Sequence, residues 1–218
     1  MTLQDELLRQ LRDAAGAPAV DAATRIVTPG SADAAVAVVR ACADTHTPLA
    51  VRSSTQSSAT APHDGVLVSL EKLNAVHAHA PGLTLTAGAG AEVDAVRAAA
   101  HRAKLAVVGL GAGPLLASVG SLVARGAVPR RSLTGVDAVL TTGETIRFGG
   151  ASLKDVVGYD VPSLLLGSMG ALAVVLSVTF RLEPAAAHTE AAPARGVVPP
   201  DPAIVRAFDP QGLLQSHS

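Results

Sequence analysis

Apolar residues recur at helical spacing at Leu3, Leu7, Leu8 and Leu11, in an otherwise polar setting. They predict a first helix, with Thr2 as its cap. A short strand is expected over 25–28, stopped by Pro29-Gly30. Ser31 then caps a second helix, whose apolar face is Ala32, Ala35, Val36, Val39 and Ala43. A strand over 48–52 runs into a stretch of small polar residues, 53–60, which reads as a loop. Strands follow over 65–70, 75–79 and 83–87, the last closed by Gly88. Val93, Val96, Ala100 and Ala103 mark a third helix. Residues 107–131 have no clean period. Residues 136–140 and 144–148, joined through Thr142-Gly143, predict a β-hairpin. Loop and short helix are expected over 149–170, and a long last strand over 173–182. Residues 185–202 are rich in Ala and Pro and read as a linker. Strand–helix–strand units with added antiparallel hairpins suggest an α+β fold.

The composition narrows the function. Of 218 residues, 49% are hydrophobic, enough for one domain with a core. With 17 basic and 18 acidic side chains, the formal charge is −1, so there is no electrostatic case for nucleic acid or an anionic membrane. Three Phe, one Tyr and no Trp leave little to stack on bases. The longest apolar run, 171–178, contains Ser177 and reads as a buried strand rather than a membrane span. Acids in Met1-Thr2-Leu3-Gln4-Asp5-Glu6 do not suit a signal peptide, and a cytoplasmic location is expected. A single cysteine, Cys42, excludes an intrachain disulfide or a multi-cysteine metal cluster, and its place beside an apolar helix face makes it an inert core residue.

Three loops carry the candidate chemistry. In Arg52-Ser53-Ser54-Thr55-Gln56-Ser57-Ser58, directly after a strand, short side chains leave main-chain N–H groups open to an anion such as a diphosphate. A solvent loop is the competing reading. The second stretch holds Gly109, Gly111, Gly113, Gly120 and Gly126, interleaved with Leu115, Leu116, Val119, Leu122 and Val123. Ser118 and Ser121 add hydroxyls. Glycine at such density is entropically costly unless a ligand lies against the backbone, and a merely flexible linker would be more polar. The third stretch is Lys154-Asp155-Val156-Val157-Gly158-Tyr159-Asp160, followed by Gly167-Ser168-Met169-Gly170-Ala171-Leu172 and the last strand.

In the order and placement of these loops the chain resembles the FAD-binding domain of the vanillyl-alcohol oxidase superfamily, the FAD-linked oxidases with a PCMH-type fold. Within it, the chain is most like glycolate oxidase FAD-binding subunits and their D-lactate dehydrogenase-like relatives. The likeness runs from about Arg25 to Pro184. It includes Gly65-Val66-Leu67-Val68-Ser69-Leu70-Glu71-Lys72-Leu73-Asn74, the Ala117-Ser118-Val119-Gly120 loop, Leu140-Thr141-Thr142-Gly143-Glu144-Thr145-Ile146-Arg147-Phe148-Gly149-Gly150 and, most specifically, the Lys154–Asp160 motif. Ala207-Phe208-Asp209-Pro210-Gln211-Gly212-Leu213-Leu214 resembles the ending of full-length members, in which a substrate (cap) domain precedes it.

The resemblance implies a domain order: an N-terminal helix at 1–24, a PCMH-type FAD-binding domain of two α/β subdomains at 25–184, a linker at 185–202 and a family-ending segment at 203–218. The substrate cap domain is absent between the domain and that ending. It implies FAD as cofactor, with Ser53, Ser54, Thr55, Gln56 and Ser57 as the diphosphate loop. Gly113, Ala117, Ser118, Gly120 and Ser121 would form the second loop, Gly126 would lie on its flavin side, and Val174 and Val175 would meet the ligand through the backbone.

The departures are specific. Ser53, Ser54 and Thr55 stand where the family usually has glycines, so any positive φ there would be strained. Gln56 stands where some members carry a flavin-linked His, which implies non-covalent FAD. Ser121 replaces a Gly, and Ala171 and Ala173 replace a Thr and a Gly.

No catalytic base is identifiable, because in this superfamily it usually comes from the cap. His77 and His79 share one face of a predicted strand, but no third metal ligand is evident. Two functions stay open. One is an FAD-dependent oxidoreductase, or a subunit of one, that oxidises a small hydroxy acid or alcohol by hydride transfer. The other is a non-catalytic accessory protein that keeps the fold with weakened or lost FAD binding. Either leaves the face normally covered by the cap open to a partner subunit or a second copy.

Overall fold

The computed structural model describes residues 3–111, 118–149, 160–187 and 196–215. The first unit is built from α1 (Leu3–Ala15), β1 (Val20–Asp21), β2 (Ile26–Val27), α2 (Ala32–Asp44), β3 (Leu49–Arg52) and β4 (Val66–Ser69). Its strands lie in the order β1-β2-β4-β3, with β4 parallel to both neighbours and β1 antiparallel to β2. Ser31 caps α2 as expected, its Oγ accepting from the Ala34 N–H at 3.1 Å.

The helix buries more than the expected stripe. Val38, Ala41 and Cys42 are buried along with Ala35, Val36, Val39 and Ala43, while Ala32 is exposed. The reason is that α2 is covered on two sides: α1 packs against it, and its opposite face meets the sheet through Leu49, Val66 and Val68. Small side chains suit such a doubly covered helix.

The second unit contains β5 (Val76–His79), β6 (Thr84–Gly88), α3 (Val93–Arg102), β7 (Leu105–Val107), α4 (Val119–Ala124), β8 (Leu133–Val139), β9 (Thr145–Gly149), α5 (Val161–Leu165) and β10 (Val174–Pro184). The antiparallel order is β5-β6-β10-β8-β9, with β7 on the far end of β10. The predicted hairpin is β8–β9, turned by Gly143 at φ 80°. The predicted last strand is the middle of this sheet. Val178 pairs with Ala87 on one side and Val136 on the other. Its central place between paired strands explains its mostly apolar sequence. His77 and His79 lie on β5 and are exposed, and no cluster of three or more metal-ligating side chains occurs among the described residues.

Strand β10 also joins the two cores. Val174 and Leu176 pack with α2, and Val178, Phe180 and Leu182 pack with α3 and α4. The elements not foreseen are β1, β7 and α4, each too short to show a period.

Among the described residues after β10, Gly196 and Val198 are held against the second unit. The Gly196 N–H donates to the Gly126 carbonyl at 3.0 Å, and the Val198 N–H to the Gly167 carbonyl at 2.9 Å. Helix α6 (Pro202–Phe208) sets Ile204, Val205 and Phe208 against the second core. The chain then crosses back to the first unit. The Leu49 N–H donates to the Leu213 carbonyl at 2.8 Å and the Gln215 N–H to the Leu49 carbonyl at 2.9 Å, adding a bridge to the outer edge of β3.

Candidate functional site

Parallel β3 and β4 require a crossover, and here it is the polar loop 53–65 rather than a helix. Its first residues turn sharply, the Ser57 N–H donating to the Ser54 carbonyl at 3.2 Å and the Gln56 N–H to the Ser54 Oγ at 3.2 Å. The N–H groups of Ser53, Ser54 and Thr55 meet no acceptor among the described residues. No residue from 53 to 58 has a positive φ, so replacing the family's glycines with Ser and Thr costs no backbone strain. That outcome corrects the expected penalty.

Arg52 anchors the base of this loop. Its Nε donates to Ser69 Oγ at 3.1 Å, Ser69 Oγ donates to Glu71 Oε2 at 3.0 Å, and Arg52 Nη2 lies 3.8 Å from that same oxygen.

Helix α4 approaches from the other unit. Ser118 is its cap, buried, with its Oγ donating to Ser53 Oγ at 2.7 Å. The Val119 and Gly120 N–H groups are already taken, by the Ala91 and Ala89 carbonyls at 2.8 Å each. Gly120 therefore contributes the absence of a side chain, not a donor. A Cβ there would sit 2.8 Å from Ser53 Cβ. Ser121 Oγ turns back to the Ser118 carbonyl at 2.8 Å.

These segments, with the turn 168–170 and the start of β10, enclose a cavity of about 410 Å³. Ser53, Ser54, Gln56, Ser57, Gly120, Ser121, Val174 and Val175 all line it. Three expected residues do not. Thr55 is exposed away from the wall, and Ser118 sits behind it, holding Ser53. Gly126 is spent on packing: at φ 60°, with a Cβ that would fall 2.2 Å from the Gly196 carbonyl oxygen, it lets residues 196–198 dock. Gly113, Ala117 and the motif residues 154–159 lie outside the described residues. The last motif residue, Asp160, caps α5 and pairs with Arg130 at 2.6 Å.

Sequence reasoning missed Arg125 as a lining residue; Ser168, Met169 and Gly170 lie in the third candidate stretch but were given no contact with the ligand. The Gly-Ser-x-Gly run signalled the last three, whereas α4 was too short for its face to be read.

A family model described as FAD binding domain matches residues 23–149. The chain belongs to this family. It is 28% identical over 171 residues to the D-lactate dehydrogenase of Archaeoglobus fulgidus, covering 73% of this chain and 38% of that protein. It is 40% identical over 77 residues to the glycolate oxidase subunit GlcE of Escherichia coli, covering 31% and 22%. Among solved structures, the 4-ethylphenol oxidase of Gulosibacter chungangensis superposes with a TM-score of 0.68 at 17% identity, over 84% of this chain and 43% of that one. p-Cresol methylhydroxylase superposes with a TM-score of 0.65 at 15% identity, over 84% and 44%. The chain thus spans well under half of each of these proteins. The fold is the PCMH-type FAD-binding fold, in a family of FAD-linked oxidoreductases that includes hydroxy-acid dehydrogenases and oxidases.

FAD is the cofactor of such a domain, and the cavity suits it. Its charged lining residues are Arg52 and Arg125, with no carboxylate among the described ones. Open N–H groups at 53–55 and the side-chain-free surface at Gly120 give a diphosphate donors and room. The described lining contains no His, Asp, Glu, Lys, Tyr or Cys, so it offers no conventional proton acceptor. Cys42, the one cysteine, is in the core with its thiol pushed up to about 12 by burial. No helix among the described residues is long and apolar enough to cross a membrane.

Proposed function

We propose that this chain is the non-covalent FAD-binding subunit of an oxidoreductase that acts on a small 2-hydroxy acid or related alcohol, with the substrate-side groups supplied by a partner subunit. The observation that carries the reading is the cavity itself, whose described lining presents open N–H groups and the Arg125 side chain to an anion and holds no base for substrate. Bound FAD would supply the two-electron acceptor for hydride transfer. The chain's own residues bind and orient: Ser53–Ser57 around the diphosphate, Gly120 and Ser121 as a close wall, and Val174 and Val175 through the backbone beside the ring systems. Gln56 has no nucleophilic ring nitrogen to form a flavin bond, which supports reversible binding.

Partnership is supported by the likeness to GlcE, a glycolate oxidase subunit, and by a lining that holds no proton acceptor among the described residues. The large exposed apolar side chains among the described residues are Leu83, Val197 and Val198. The last two lie on the segment that docks beside the cavity.

The test is purification with and without added FAD. A yellow protein whose colour stays in solution after acid precipitation supports the reading, and colour in the precipitate overturns the non-covalent part. A colourless protein that FAD titration cannot reconstitute leaves the accessory-protein alternative. Substrate oxidation is then assayed with small 2-hydroxy acids and a dye acceptor, for the chain alone and for the complex recovered by pull-down. Equal activity in both would overturn the partner requirement.

A further inference from the structure

The two arginines that line the cavity are not equivalent. Arg52 is committed: its Nε is on Ser69, its Nη2 faces Glu71 at 3.8 Å, and its side chain is only 18% exposed. Its charge is balanced within the protein. Arg125 is exposed and makes no ion pair or side-chain hydrogen bond with any described residue. Its backbone is nonetheless fixed, since it closes α4 with its N–H on the Ser121 carbonyl at 3.0 Å. It lies one helical turn beyond Ser121, so both residues are on the helix face that walls the cavity.

An exposed arginine is usually only solvated. Three features of the surroundings favour a ligand here. Arg125 lines a concave site, no carboxylate competes for its charge among the described lining residues, and the loop opposite presents open N–H groups. A guanidinium offers a planar fork of donors that matches two oxygens of a phosphate. The opposite loop carries Ser53 and Ser54 on the cavity wall, whose side chains occupy space that glycines would leave for the ligand.

We propose that Arg125 is the side-chain anchor for the phosphate groups of the dinucleotide in this cavity, making recognition of the ligand depend on charge as well as on backbone contact. The proposal rests on the FAD reading above. It implies that the apoprotein holds ADP as well as FAD and discriminates against uncharged riboflavin. It also implies that affinity falls with added salt, since an exposed charge pair is screened.

The experiment titrates wild-type, Arg125→Ala and Arg125→Lys apoproteins with FAD, ADP and riboflavin by calorimetry, at two salt concentrations. Arg125→Ala should lose about tenfold or more in affinity for FAD and ADP, the equivalent of one charge-assisted hydrogen bond. Its riboflavin affinity and thermal midpoint should not change, and its salt dependence should be shallower. Arg125→Lys should fall between the two. Wild-type affinity of Arg125→Ala for ADP overturns the assignment while leaving the FAD reading intact, and so does a loss confined to riboflavin. A wild-type protein that binds neither FAD nor ADP overturns both.

Discussion

Gly120 offers the sharpest test of how the cavity is built. A Cβ at this position would lie 2.8 Å from Ser53 Cβ, 2.9 Å from Ser53 Oγ and 3.2 Å from the Ala89 carbonyl oxygen. The first contact cannot be relieved by a rotamer change, because Cβ moves only with the backbone. Ser53 must retreat by several tenths of an ångström, carrying with it the first N–H groups of the loop. Retreat also stretches the 2.7 Å bond from Ser118 Oγ to Ser53 Oγ, worth about 0.5–1.5 kcal/mol. Overpacking adds about 1–3 kcal/mol, partly offset by about 1 kcal/mol of helix propensity when Gly becomes Ala. Gly120 has no positive φ, so no backbone strain enters.

For Gly120→Ala, stability should therefore fall by about 0.5–3.5 kcal/mol. The displaced loop loses contacts to the diphosphate, and FAD affinity should fall about tenfold or more. Gly120→Val adds two methyl groups at the same point and should abolish detectable binding while the protein still melts cooperatively. Flavin-fluorescence titration reads the affinity, and circular dichroism melting reads the fold. If Gly120→Val binds FAD with wild-type affinity, the placement of α4 against the diphosphate loop is wrong.

Other residues give simpler tests. Asp209 is 4% exposed and accepts from the Leu213 and Leu214 N–H groups at 3.0 and 2.8 Å. Asp209→Ala should cost about 2–4 kcal/mol in chemical denaturation and expose residues after 209 to protease, and an unchanged midpoint would refute that role. Asp160→Ala removes the cap of α5 and an exposed ion pair with Arg130, so thermal melting should show a loss of about 1 kcal/mol and no more. Cys42, with its thiol pushed up to about 12, should resist a thiol reagent in the native protein at neutral pH and react fully once unfolded. Rapid native labelling would contradict its burial.

Much of this fold is legible in the sequence because period and burial agree. Residues 75–79 and 83–87 alternate, and they form a hairpin with one face on α3. The run at 171–178 reads as a buried strand because β10 has neighbours on both edges and cores on both faces. Helix α4 was hidden for the opposite reason. Val119–Ala124 is under two turns long, and its fold depends on Ser118 and on the Ala89 and Ala91 carbonyls, which lie far away in sequence. The serine cap was the available signal. Residues 185–202 look like a linker by composition, yet Gly196 and Val198 bond to Gly126 and Gly167. Such tertiary pairing leaves no periodic trace, although Gly126 and Gly167 mark positions where a side chain would block it.

The site itself shows why motif matching and physical reading diverge. Matching Ser53-Ser54-Thr55 to a glycine-rich loop predicts strain and weak binding, but the strain depends on φ, and the loop has no positive φ to accommodate. What the missing glycines change is the room and the source of affinity. The backbone donors at 53–55 remain open, and the balancing charge stands across the cavity on Arg125, a position no glycine pattern would reveal. The first wall is in turn held from outside. Strand β3 leads straight into the loop, and its outer edge is closed by Leu213 and Gln215, in a segment that Asp209 holds through the Leu213 and Leu214 N–H groups. Residues 209–215 are therefore part of the frame that sets the loop after β3. A loss of FAD affinity in Asp209→Ala, beyond what its loss of stability explains, follows from that connection.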